Sequence, residues 1–262
     1  MDADPVGGDG RGAELLLTPG RADPASATLI LAGDVGSTND DAMAHLRATG
    51  ASVWVAAERQ LAGRGRRGRP WVSERGNLYA SFAFAPTWSN EAFGILPLAA
   101  AVALADAIAK LGITATLKWP NDVLVTGLKV SGILIESEWA GTERRVVVGY
   151  GVNVAHHPET MPATHLKAHR PDLSVDIVRS ALIGEAAATF NALGHGDGVA
   201  TIRARWLDRA AGIGGPIDVR LDDETRSGVF EGLDETGRLM LRRPDNRLER
   251  ISAGDVFLKA AL

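Results

Sequence analysis

The chain has 262 residues, 45% hydrophobic and 23% charged, with a formal net charge of −4; that length suits one large domain with a sizeable core plus a small appendage. It contains no cysteine, which excludes a disulfide scaffold, a thiolate metal site and a cysteine nucleophile, and its acidic balance, with a pI near 5.9, disfavours a general nucleic-acid binder. The longest apolar run, residues 95–109, carries Pro97 and Asp106 and precedes Lys110, so it reads as a buried helix and not a bilayer span; a cytoplasmic protein without a membrane partner is expected.

Residues 1–27 are rich in Gly, Asp and Pro and lack the basic start and apolar centre of a secretory signal. They predict a poorly ordered tail, with Leu15-Leu16-Leu17 as a short segment able to dock. Thr28–Ala32 then reads as a strand, and Ser37-Thr38-Asn39-Asp40-Asp41 supplies an N-cap and early acids for a helix reaching about Ala48 and stopping at Gly50. Ser52–Ala57 predicts a buried strand. Asn77–Phe84 alternates Leu78, Ala80, Phe82 and Phe84 against Tyr79, Ser81 and Ala83, the pattern of a half-buried strand. A helix is expected over Ile95–Leu111, closed by Gly112.

From Thr114 to Tyr150 four strands follow one another: TATLKW, DVLV, KVSGILIESEW and RRVVVGY, with Thr126-Gly127 as a turn. Ser174 caps a helix over residues 175–193, and another is expected over residues 197–211. Runs of strands with clustered helices predict an α+β fold, a mixed β-sheet flanked by helices. After Gly212-Ile213-Gly214-Gly215, five short β-like pieces predict a small β-barrel. The expected division is a tail to residue 27, a main domain over 28–212 and a small domain over 213–262.

Four segments carry chemistry. Gly63–Arg69 packs four arginines and three glycines into seven residues. Such a loop has high backbone entropy and repels itself, so an anion is needed to order it; guanidinium groups can pair with phosphate oxygens while glycines bring backbone N–H groups close. Its Gly63-x-Gly65-x-x-Gly68 spacing matches a dinucleotide fingerprint, but Arg69-Pro70-Trp71 follows in place of a helix. No Asp or Glu occurs from Gly76 through Asn90 to bind a ribose. No Lys-Ser/Thr pair follows to make a phosphate loop. The second segment is Lys118-Trp119-Pro120-Asn121-Asp122, where Trp-Pro breaks a strand and turns polar side chains outward; alone it also fits a capped turn with a surface lysine. In the third, LKVSGILIE, a period of two puts Lys129 on one face with Ser131 and Ile133, aimed at a site or simply solvated. The fourth, Val148–Val154, has Gly149 and Gly151 inside a strand, the mark of a bulge or of a ligand near the backbone, with Asn153 close by. The histidines at 45, 156, 157, 165, 169 and 195 show no ligand spacing on one helix, and His156-His157 reads as loop surface rather than a metal site.

These segments, with Gly36-Ser37-Thr38-Asn39, resemble the biotin protein ligase family, in family order: GSTN, the Q-x-A-G-R-G-R-x-G-R-x-W loop, N-L-Y-x-S, K-W-P-N-D, L-K-x-x-G-I-L-x-E and G-x-G-x-N. The C-terminal G-x-F-x-G-L-D-x-x-G-x-L is similar to the family's SH3-like barrel, so the resemblance runs from about Leu29 to Phe257. It implies a fold like that of class II aminoacyl-tRNA synthetases and a two-step ligase. Biotin is activated by ATP, with Mg²⁺, as biotinyl-5′-adenylate and then passed to a lysine of a biotin carboxyl carrier protein. Carried over by position, the resemblance gives Ser37, Thr38, Gln60, Gly63, Arg64, Lys129 and Gly132 to biotin. Arg64, Arg66, Trp71, Lys118, Asn121 and Asn153 fall to ATP and the adenylate, and Arg64, Arg66, Lys129 and Asp122 to catalysis. No residue is assigned as a direct metal ligand. The loop is expected to be mobile without ligand and closed over the adenylate. Some 28 residues precede the first strand, fewer than the family's DNA-binding domain needs, so the implied class is ligase-only, without a DNA partner, as a monomer or weak homodimer.

Three other readings compete: lipoate ligation, which shares the adenylate chemistry; a non-catalytic nucleic-acid binder using the arginine loop; and a ligase homologue that only binds. The acidic composition opposes the second reading, and the presence of Arg64, Arg66, Lys118 and Lys129 opposes the third.

Overall fold

The computed structural model of the chain describes residues 24–259. Residues 1–23 of the expected tail to residue 27, with Leu15–Leu17, lie outside them. Residues 24–27 differ from the expectation. The Pro24 carbonyl accepts a hydrogen bond from the indole N–H of buried Trp54 at 3.0 Å, and Ala27 packs on the core.

A seven-stranded mixed sheet has the order β1-β2-β3-β7-β6-β5-β4. It comprises β1 (Thr28–Val35), β2 (Val53–Gln60), β3 (Leu78–Phe84), β4 (Thr116–Lys118), β5 (Asp122–Val125), β6 (Leu128–Ala140) and β7 (Glu143–Val152). β1 and β2 run parallel, joined by α1 (Thr38–Thr49); every other pairing is antiparallel. α1 ends where Gly50 takes φ +67°, as its glycine stop requires. α1 buries Ala42, Met43 and Leu46 against Val53, Val55, Ala83 and Val147. On the opposite face lie α2 (Asn90–Lys110), α3 (Val175–Leu193) and α4 (Gly198–Leu207).

Helices on both faces explain one departure from the pattern: β3 is buried along its whole length, not half-buried. Alternation marked its two faces but could not show that α1 covers the second. α2 starts five residues before Ile95 because the Ser89 hydroxyl accepts a hydrogen bond from Ala92 N–H and so caps it upstream of Pro97. It is long and apolar enough to cross a bilayer, but it is apolar all round because the sheet, α3 and α4 enclose it. α3 begins at the expected cap, with Ser174 Oγ accepting from Ile177 N–H at 3.2 Å. α4 ends at Leu207, short of residue 211.

The C-terminal residues form five antiparallel strands: β8 (Pro216–Arg220), β9 (Thr225–Leu233), β10 (Leu239–Arg242), β11 (Leu248–Ile251) and β12 (Asp255–Leu258). Their order, β11-β10-β9-β8-β12, leaves β11 and β12 at opposite edges, so the expected SH3-like barrel is an open sheet. Its apolar face does not close on itself. It continues the main core through Phe230, packed edge-on against Trp206 of α4 with ring centroids 6.4 Å apart. Polar contacts also join the parts: Arg203 donates to the Asp234 carbonyl at 2.8 Å, and Trp119 Nε1 donates to the Gly237 carbonyl at 3.1 Å.

Candidate active site

The arginine loop leaves the end of β2 beside the turn that starts α1. Leu61 and Ala62 N–H donate to the carbonyls of Val35 and Gly36 at 2.8 and 2.9 Å. Its neck is narrow: Trp71 N–H donates to the Gly63 carbonyl at 2.9 Å, and Gly65 N–H to the Arg69 carbonyl at 2.7 Å. A Cβ on Gly63 would lie 2.6 Å from both Ser73 Oγ and the Trp71 carbonyl, so glycine permits this crossing. The tip is a 3-10 turn over Arg66–Gly68. The anions it meets are carboxylates of the chain itself. Arg64 makes a two-pronged pair with Asp40 at 2.6 and 2.9 Å, Arg67 meets Asp222 at 2.9 Å, and Arg69 meets Asp255 at 2.8 Å. These pairs tie the loop to α1 and to the C-terminal sheet.

Beneath the loop is a cavity of about 500 Å³. Glycines make its floor. Gly132 of β6 and Gly151 of β7 are cross-strand partners, and the Trp71 indole lies on them. A Cβ at Gly151 would come within 2.5 Å of the ring and one at Gly132 within 3.0 Å. At Gly149 a Cβ would fall 2.2 Å from Asn39 Oδ1, so that glycine admits the first turn of α1.

One end of the cavity is a chain of hydrogen-bonding side chains. Gln60 Oε1 accepts from Thr38 N–H at 2.9 Å and from Thr38 Oγ1 at 3.0 Å, while Gln60 Nε2 donates to Ser73 Oγ at 3.1 Å. Ser81 Oγ lies 2.7 Å from Thr38 Oγ1 and 2.6 Å from Asn39 Oδ1. Asn39 Nδ2 donates to Glu136 at 2.7 Å, and Glu136 stands 3.6 Å from Arg64. Ser37 lines this end, its hydroxyl not spent on capping α1.

The other end is cationic. Asp122 receives Lys129 on Oδ1 at 2.7 Å and Lys118 on Oδ2 at 2.8 Å. Arg66 donates to Asn121 Oδ1 at 3.2 Å. Burial pushes the Asp122 carboxyl up, but Lys129 and Lys118 together outweigh it and hold it below the ordinary value of 3.8. A depressed folded-state value means that the stability this carboxylate adds is complete above the unfolded value and is lost as pH falls through the folded one. Asp122→Asn should therefore be less stable than the parent at neutral pH, with the gap shrinking only once pH falls below the ordinary value of 3.8. Urea denaturation at neutral pH and through the acid range below it checks this, and a pH-independent gap would refute it.

The orientation of Lys129 departs from the period-two reading. β5 and β6 slip register between Val123, paired with Ser131, and Leu124, paired with Lys129, leaving Val130 as an extra residue. That bulge places Lys129 Nζ 3.4 Å from the Cβ position of Gly132, not on the face of Ser131 and Ile133. Neighbouring backbone fixes it: Thr164 N–H donates to the Lys129 carbonyl at 2.9 Å.

A profile of the Biotin/lipoate A/B protein ligase family matches residues 35–153, and one of the Biotin protein ligase C terminal domain matches residues 212–259. A biotin–[acetyl-CoA-carboxylase] ligase of Paracoccus denitrificans is 39% identical over 237 residues, 84% of this chain and 96% of that one. The chain belongs to the biotin protein ligase family. The bifunctional ligase/repressor BirA of Escherichia coli (strain K12) is 30% identical across 87% of this chain and 73% of its own length. The Aquifex aeolicus biotin protein ligase solved in complex with biotin and ATP superposes with a TM-score of 0.72 at 25% identity, covering 89% of this chain and 99% of that one.

Of the residues that the family resemblance singled out, Ser37, Thr38, Gln60, Arg64, Arg66, Trp71, Lys118, Asn121, Asp122, Lys129 and Gly132 all line the one cavity. Gly63 shapes the loop's neck. Asn153 stands apart: it is buried, and its side-chain amide donates to the Thr164 carbonyl at 3.0 Å, fastening the segment after β7 rather than facing the cavity. Sequence reasoning missed Ser81 and Glu136, which hold the lining residues Thr38 and Asn39 from behind, and Asp255, which lines the cavity. The alternation Gly132, Leu134, Glu136 was a usable signal for the second, whereas nothing near Asp255 points to a loop so distant in sequence. Among the described residues no group of three metal-capable side chains exists. His157 and His165 instead meet each other, Nδ1 to Nδ1, at 2.8 Å.

Proposed function

We propose that this protein activates biotin with ATP and transfers it to a lysine of a biotin carboxyl carrier domain. One observation carries the reading: Lys118, Lys129 and Arg66 converge beside Asp122 at one end of a cavity whose other end is lined by the uncharged side chains Ser37, Thr38, Asn39 and Gln60. Thr38, Gln60 and Asn39 offer both donors and acceptors, the requirement of a ureido ring, with Ser81 behind them. The cations suit a carboxylate and a phosphate that must approach each other.

In the first step a biotin carboxylate oxygen attacks the α-phosphorus and the bond to the pyrophosphate leaving group breaks. No side-chain nucleophile is needed, because the carboxylate is one already. Lys129 and Arg66 neutralise the two anions, and Asp122 holds Lys118 and Lys129 in place. In the second step the acceptor amine attacks the acyl carbon, AMP departs, and the amine proton is released. Trp71 and the arginine loop cover the mixed anhydride and exclude water. The residues present do not form a cage for Mg²⁺, since both Asp122 oxygens already hold lysines; the ion's place is on the phosphates of ATP, and no step is assigned to it.

The indole's seat on glycine gives a further expectation. Gly151→Ala should displace Trp71 at a cost of about 1–3 kcal/mol and raise the KM for ATP about tenfold; an unchanged KM would show that Trp71 does not shape the nucleotide end. The whole reading is tested by incubating the protein with ATP, Mg²⁺, biotin and a carrier domain and weighing the acceptor. A biotin adduct supports it; no adduct, or one formed only when lipoate replaces biotin, rejects it.

A further inference from the structure

The small C-terminal sheet reaches into the site at one place. At the start of β12, Asp255 faces the arginine loop, its side chain only 15% exposed. Arg69 binds both its oxygens, at 2.8 and 2.9 Å, while Arg220, Arg67 and Arg66 stand at 3.4, 3.7 and 3.8 Å. The preceding residue acts too: the Gly254 carbonyl accepts from both terminal nitrogens of Arg66 at 3.3 Å. A Cβ on Gly254 would lie 2.7 Å from Val219 Cγ1, so glycine lets the backbone come in close. Burial works against the Asp255 charge, but Arg69, Arg66 and Arg220 outweigh it and keep the carboxyl below its ordinary range.

We propose that Asp255 is a positioning residue for adenylation, a fixed carboxylate on the C-terminal sheet that gathers the arginine loop over the cavity before substrate arrives. Four guanidinium groups that would otherwise repel one another share one anion. Arg69 is pinned by two strong bonds, whereas Arg66, held by neutral oxygens and a longer ionic contact, keeps its charge available to a phosphate. The loop is then closed at little entropic cost when ATP binds, and the C-terminal sheet becomes part of the catalytic unit.

The proposal rests on the ligase reading, but its first test does not. Trypsin cleavage within residues 64–69 of the ligand-free full chain should accelerate about tenfold or more in Asp255→Asn, because cleavage follows the population of the open loop. Arg69→Gln cuts the same contact without touching β12 and should act alike, so misfolding of the first variant would not leave the idea untested. The double variant should be no faster than the worse single, and Asp255→Glu should recover much of the protection. In turnover, the KM for ATP should rise about tenfold with kcat changed less than about twofold, the signature of lost preorganisation. Unchanged cleavage in both single variants, additive effects in the double, or a loss confined to kcat would overturn the proposal. Absence of any adenylate from the parent would instead count against the ligase reading and leave the protease result standing.

Discussion

Replacing Lys129 with glutamine should slow formation of biotinyl-adenylate by about 10²–10³-fold, the usual consequence of removing one preorganised group from a developing charge. Three distances locate this ammonium at the reacting end of the cavity: Asp122 at 2.7 Å, the Trp71 ring centroid at 5.5 Å and the Cβ position of Gly132 at 3.4 Å. Glutamine keeps the reach and loses the charge. Asp122 is not orphaned, since Lys118 remains 2.8 Å away, so the effect reports the missing cation more than a collapsed site. Biotin affinity should change far less than the rate, because the chain from Ser73 to Asn39 is untouched. Single-turnover measurement of pyrophosphate release separates the two, and a rate within about threefold of the parent would remove Lys129 from the chemistry.

Arg66→Gly should leave adenylation measurable but shorten the lifetime of the bound adenylate by about 10–100-fold, the worth of one or two charge-assisted hydrogen bonds. The loop would stay docked, for Arg64 keeps Asp40 and Arg69 keeps Asp255. What disappears is the guanidinium whose present partners are the Gly254 carbonyl and Asn121 Oδ1. Forming the adenylate, trapping free intermediate with excess carrier domain and following the decay of the bound fraction measures the lifetime. An unchanged lifetime would refute the cover assigned to this residue. The Asp255 and Arg66 variants should also differ in kind: loss of Asp255 loosens the loop before ATP binds, loss of Arg66 loosens its hold afterwards.

Contiguous motifs made most of the site readable. Lys118 and Asp122 lie in one five-residue segment and meet across the turn that the segment forms. Gly149 and Gly151, two residues apart on a strand, share a face, so their missing side chains mark one floor. Helix ends were readable where the deciding interaction is local: the Ser174 cap opens α3 and Gly50 closes α1. The start of α2 lies upstream of the expectation because that expectation followed the apolar run from Ile95, while the working cap, Ser89, lies outside the run.

By itself, the sequence of this chain determined which segments are helix or strand, since caps, turns and periodicity act over a few residues, and it collected the cations and glycines of the site into short motifs. Only the tertiary structure decided where those groups point and what opposes their charge. Lys129 faces Gly132 because pairing with β5 forces Val130 into a bulge. β3 is buried on both faces because α1 returns over it. The arginine loop has a carboxylate partner because Asp255, 186 residues beyond Arg69, is brought beside it. Register, second-face burial and ion pairing over such separations depend on which surfaces meet after the chain has collapsed, and no pattern within a few residues encodes that.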